Sequence, residues 1–103
     1  MKKTKLGING FGRIGRQVLR HALIDYSETL EVVAINDLSD AETNAHLFKF
    51  DSTYGRYPGK VELGNQELLI DGKSIKSISE REPKNLPWGE LEVDITIEST
   101  GFF

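Results

Sequence analysis

The period of the apolar positions changes several times along the chain, and each change marks an element. Leu6 and Ile8 alternate with Gly7 and Asn9, which predicts a short strand. Ile14, Val18, Leu19, Ala22 and Leu23 then recur at helical spacing, predicting a helix from about Arg13 to Leu23 or Ile24. A polar connection, Asp25–Thr29, ends it. From Leu30 to Ile35 the chain is apolar and β-branched, and it turns abruptly polar at Asn36 and Asp37. That profile fits a buried parallel strand with a polar carboxyl end. Strand, helix and strand make one βαβ unit.

Ser39 or Asp40 is placed to cap a second helix, whose apolar face would comprise Ala45, Leu47, Phe48 and Phe50. Asp51–Gly59, rich in turn formers and aromatics, reads as an ordered loop. The period then drops to two over Lys60–Leu63, Glu67–Ile70 and Ser74–Ser79, punctuated by Gly64-Asn65 and Asp71-Gly72. This predicts an antiparallel hairpin insertion that feeds a further strand of the main sheet. Trp88, in the turn Lys84–Gly89, reads as a packing anchor, and Val93–Glu98 as the last strand. The expected fold class is α/β: a Rossmann-type, doubly wound, mostly parallel sheet with an antiparallel hairpin insertion.

The chemistry concentrates between the first strand and the first helix, in Gly10-x-Gly12-x-x-Gly15. A pyrophosphate needs donors that can be approached closely. Glycines remove obstructing side chains, and a helix start offers unpaired N–H groups at a positive dipole end. Gly10 would make the tight turn, Gly12 would admit the phosphates, and Gly15 would let helix pack on strand. Asp37 follows Gly15 by 22 residues, near the roughly 20-residue spacing at which an acidic residue reaches the adenosine ribose. A carboxylate there repels a 2′-phosphate, so NAD is expected over NADP. The competing role for Asp37 is to cap the second helix. Arg81 could reach the adenine or phosphate side of such a cofactor, or could be a solvated member of the charge run Glu80–Glu82. Ligands of open α/β sheets bind at the carboxyl ends of strands. Asn9-Gly10, Asn36-Asp37, Arg81 and Ser99-Thr100-Gly101 are therefore expected around one crevice.

Composition narrows the alternatives. The 103 residues allow one domain with a modest core. A net charge of −3 with interspersed signs argues against nucleic acid or an anionic membrane as partner. No apolar run has membrane-spanning length, and Met1–Thr4 leads into a strand without a signal-peptide core. There is no cysteine, hence no disulfide and no thiol nucleophile. His21 and His46 read as exposed helical residues, and no zinc or iron spacing is present.

Gly7-Ile8-Asn9-Gly10-Phe11-Gly12-Arg13-Ile14-Gly15-Arg16 resembles the opening of the phosphorylating glyceraldehyde-3-phosphate dehydrogenases. So do Val33–Leu38, Lys49–Gly55, Leu86-Pro87-Trp88 and Glu98-Ser99-Thr100-Gly101. The resemblance runs in order from Leu6 to Phe103. It implies an NAD-dependent enzyme of glycolysis, cytoplasmic and homotetrameric, that makes 1,3-bisphosphoglycerate from glyceraldehyde 3-phosphate and phosphate. It implies backbone donation to the pyrophosphate from Arg13 and Ile14, and a ribose contact from Asp37. Asn9 and Phe11 would line the cleft, with Arg81 near the adenine. Ser99, Thr100, Gly101 and Phe103 would border the adenosine and nicotinamide halves. The related erythrose-4-phosphate dehydrogenases tend to differ at the positions of Asp37 and of Glu98–Gly101. The family's catalytic cysteine and histidine have no counterpart in this chain. Residues 1–103 are therefore expected to be an incomplete dinucleotide-binding domain, inactive alone, with Ile95 and Ile97 on an open apolar edge. A stand-alone nucleotide-binding or interaction module is the alternative.

Overall fold

The computed structural model describes residues 3–51 and 55–100. Strand β1 (Thr4–Asn9), helix α1 (Arg13–Ile24) and strand β2 (Leu30–Asn36) form the βαβ unit. Helix α2 (Ala41–Lys49) follows, then a two-stranded ribbon of β3 (Phe50–Asp51) and β4 (Gly55–Arg56). Strands β5 (Val61–Gly64), β6 (Glu67–Ile70) and β7 (Lys73–Ile78) run as an antiparallel meander, and β8 (Ile95–Glu98) comes last. One six-stranded sheet has the order β5-β6-β7-β2-β1-β8. Its β7, β2, β1 and β8 are parallel, so the expected mixed α/β sheet with a hairpin insertion is present.

The strand order follows from burial. Leu6 and Ile8 on β1, Val32 and Ile35 on β2, Leu68 and Ile70 on β6 and Ile75 on β7 share one apolar cluster. Leu19 and Ala22 of α1 and Ala45 and Phe48 of α2 close over it. Gly7 points the other way, onto the Trp88 ring, where a Cβ would come within 2.7 Å of the indole. Trp88 is thus the packing anchor that its turn suggested.

A register slip shapes the functional end. Leu6 pairs with Val32 but Gly7 with Ala34, leaving Val33 without a partner on β1. Strict alternation would put Val32 and Ile35 on opposite faces; the slip lets both enter the core and brings Asn36 level with Asn9.

Several expectations need correction. The apolar face of α2 excludes Leu47 and Phe50, which are exposed; Asn44 is buried instead, its Nδ2 donating to the Ser39 carbonyl at 3.4 Å. Ile14 is 58% exposed, because it sits in the first turn of α1 beyond the reach of the sheet. The last strand begins at Ile95, since the Val93 N–H is spent on the Trp88 carbonyl in a turn. Ser52, Thr53 and Tyr54 of the expected loop lie outside the described residues.

Candidate functional site

At the carboxyl ends of the parallel strands the backbone is tied into a rim. The Gly10 N–H donates to the Asn36 carbonyl at 2.7 Å, and the Ser99 N–H to the Asn9 carbonyl at 2.8 Å. The Ser99 hydroxyl donates to the Gly10 carbonyl at 2.6 Å. Gly10 has φ +95, and a Cβ on it would fall 2.7 Å from the Ser99 carbonyl carbon and the Thr100 nitrogen. Only glycine fits that turn. At Gly15 a Cβ would overlap the Gly10 carbonyl oxygen, so the helix rests directly on the loop. Gly12 differs from both: nothing lies within 4 Å of its would-be Cβ.

That open space belongs to a cavity of about 580 Å³. Asn9, Gly10 and Gly12 line it from the loop, Asn36 and Asp37 from the end of β2, Arg81 from the segment after β7, and Ser99 and Thr100 from the segment after β8. These predicted positions do converge. Leu38, Glu80 and Leu86 line it as well, though none was a predicted site residue. Leu38 is 60% exposed; in the sequence its only signal is an apolar residue directly after the polar strand end Asn36-Asp37.

Three predicted residues, Phe11, Arg13 and Ile14, do not line the cavity with their side chains. Phe11 does not line the cavity; it is 2% exposed and packs its ring 6.3 Å from Phe48 in the core. The alternation of the loop turns its side chain inward and leaves its backbone at the rim. Arg13 and Ile14 are exposed in the first turn of α1. Gly12 caps this helix without a side-chain hydrogen bond, so no cap side chain occupies the first N–H groups. Gly101 and Phe103 lie outside the described residues.

Asp37 is positioned by two backbone donors. The Phe11 N–H donates to Oδ1 at 2.9 Å and the Ser39 N–H to Oδ2 at 3.1 Å. A carboxylate offers about four acceptor positions, so it retains capacity towards the cavity. Asp37 is not the cap of α2. Asp40 is: its Oδ1 accepts the Thr43 N–H at 2.8 Å, and that bond holds its carboxyl below the usual range. The Arg16 guanidinium fastens the loop from behind, Nη1 donating to the Phe11 carbonyl at 3.0 Å.

A strand, a glycine turn that leaves open space, an uncapped helix start and a held carboxylate at the next strand end define a dinucleotide-binding α/β domain. The family described as glyceraldehyde 3-phosphate dehydrogenase, NAD binding domain, matches residues 4–103. Similar proteins include a glyceraldehyde-3-phosphate dehydrogenase of Borreliella burgdorferi, 54% identical over 99 residues. One of Geobacillus stearothermophilus is 54% identical and one of Yarrowia lipolytica 55%, each over 100 residues. Alignments cover 96–97% of this chain and 29% of each relative. The chain belongs to the glyceraldehyde-3-phosphate dehydrogenase family and corresponds to its amino-terminal NAD-binding part. It spans about 29% of the length of these relatives.

Proposed function

We propose that NAD lies in the cavity with its pyrophosphate over Gly12 and the first turn of α1, where Arg13 and Ile14 donate backbone N–H groups. The observation that carries this reading is the contrast among the glycines. Gly10 and Gly15 are filled against protein, whereas Gly12 opens on space that a Cβ would occupy. Asp37 accepts both hydroxyls of the adenosine ribose and repels a 2′-phosphate. The adenine lies between the apolar walls of Leu38 and Leu86, beside Arg81. Ser99 and Thr100 border the path towards the nicotinamide, while Asn9, Gly10, Phe11 and Asn36 shape the rim. Calorimetric titration of the chain tests this: NAD is expected to bind and NADP to bind at least tenfold more weakly. A preference for NADP would remove Asp37 from the ribose.

The whole enzyme oxidises glyceraldehyde 3-phosphate with phosphate to 1,3-bisphosphoglycerate, as a homotetramer in the cytoplasm. Bound NAD supplies the hydride acceptor. Thiol attack on the aldehyde needs a cysteine, and these 103 residues contain none. The chain alone therefore binds cofactor without turnover. NADH production by the purified 103-residue chain, free of longer protein, would refute that.

A further inference from the structure

Glu98, Asn9 and Asn36 stand on one row of the sheet, each paired with the next across β8, β1 and β2. Their side chains form a directed chain of hydrogen bonds. An ionised carboxylate can only accept. Glu98 takes Asn9 Nδ2 on both oxygens, at 3.1 and 3.0 Å, and the Thr100 hydroxyl at 2.9 Å. Asn9 then has only Oδ1 to turn towards β2, and Asn36 Nδ2 donates to it at 2.8 Å. Asn36 in turn presents Oδ1 to the Glu80 N–H at 2.8 Å, while its Nδ2 also donates to the Glu80 carbonyl at 3.0 Å.

We propose that Glu98 is a positioning residue: it locks, from one end, the direction of a row whose other end is the Glu80 backbone, and thereby helps to hold the Glu80–Arg81 segment against the cofactor cavity. The proposal rests on the reading of that cavity as the NAD site. An asparagine amide has no preference of its own, because a half-turn about its last torsion exchanges donor for acceptor in the same volume. Reversing the row would set the Asn36 amino group against the Glu80 N–H and its oxygen against the Glu80 carbonyl, so a loss of direction at Glu98 acts directly against the bonds that hold the Glu80 turn. Arg81 is the next residue and lines the cavity. Both asparagines are 5% exposed, so water does not readily replace a lost partner. Glutamine at position 98 offers a donor as well as an acceptor and no longer enforces the direction from its own end; aspartate remains acceptor-only.

The test joins nuclear magnetic resonance of the labelled chain to NAD titration. Glu98→Gln is expected to shift or double the side-chain amide signals of Asn9 and Asn36. It should also speed solvent exchange at the Glu80 N–H, with the amides of β5 and β6 unchanged. NAD should bind roughly 3- to 10-fold more weakly, the worth of one part-buried hydrogen bond. Glu98→Asp should restore single signals. In an Arg81→Ala background, Glu98→Gln should cost less than twofold. Unchanged asparagine signals and Glu80 exchange would overturn the proposal, as would an equal loss of affinity with and without Arg81. A parent chain that binds no NAD, with the Glu98→Gln signals still doubled, would sink the cofactor reading and leave the direction of the row standing.

Discussion

Two carboxylates in this domain carry the same number of backbone or side-chain donors, yet only one of them faces open space. Asp37 accepts from the Phe11 and Ser39 N–H groups, one on each oxygen. Asp71 accepts from the Tyr57 hydroxyl at 2.8 Å and the Lys60 N–H at 2.8 Å, again one on each oxygen. Asp71 also returns its own N–H to the Lys60 carbonyl at 2.8 Å. Its oxygens press on Gly59, where a Cβ could not fit, and it does not line the cavity. Asp71 is a pin that fastens the hairpin to the core through Tyr57. Asp37 has the same pin on one side and about 580 Å³ of space on the other. Counting hydrogen bonds does not separate the structural Asp71 from Asp37, which we propose holds the ribose; the room left beside each does.

The comparison breaks most severely where the crevice loses its backbone packing. Gly15→Ala drives a methyl into the Gly10 carbonyl, and backbone cannot retreat as a flexible side chain would. A loss of about 3 kcal/mol, the upper end for overpacking, is expected in thermal or denaturant melts. The same change at Gly12 should leave stability within about 1 kcal/mol and weaken NAD binding at least tenfold by calorimetry. If Gly12→Ala binds NAD normally, the open space is not where the pyrophosphate sits.

Next in size is the exchange of the two aspartates. Asp37→Asn should weaken NAD binding by about tenfold, or about 1.4 kcal/mol, and relax the discrimination against NADP. Asp71→Asn should leave NAD binding within twofold and lower the melting temperature. Equal effects of both on binding would erase the distinction drawn here.

The smallest effect sharpens the pin. Burial, then the bond to Asp71, push the Tyr57 hydroxyl up to about 12 from an ordinary 10.0. Its folded value lies above its unfolded one, so its contribution is full below pH 10 and is lost as pH rises towards 12. Tyr57→Phe should cost about 1 kcal/mol near neutrality, flatten that alkaline decline, and leave NAD affinity unchanged. A decline of the same steepness in the phenylalanine variant would assign it to other groups.

What was legible in the sequence was local. The glycine loop, the polar end of β2 and the Asp71-Gly72 turn each declare themselves within a few residues, because each answers a local backbone or charge requirement. Their convergence followed from one rule about strand ends. What was hidden depends on register between distant strands. The slip at Val33 puts two residues of apparently opposite face into one core, and no periodicity reveals it. Phe11 reads as a cleft residue in line, but the core takes the bulky ring and leaves the rim to its backbone. Leu86 reaches the cavity from the turn that anchors Trp88, across a distance in sequence that no motif spans. Asn44 is buried where a polar residue would be placed outside.

The pairing of β8 with β1 joins Asn9 to Glu98, 89 residues apart. β1 meets β2 across a far shorter loop. Loop closure grows as about (3/2)RT ln n, so in an otherwise unfolded chain this pairing carries roughly 1 kcal/mol more entropy cost than the βαβ contact. The crevice is complete only when β8 arrives, because Ser99 and Thr100 form its far wall. The crevice therefore needs the pairing of β8 with β1 as well as the glycine loop. A ligand that binds only the completed crevice stabilises the docked β8 by mass action, acting as a clasp on the seam between the two ends of the chain.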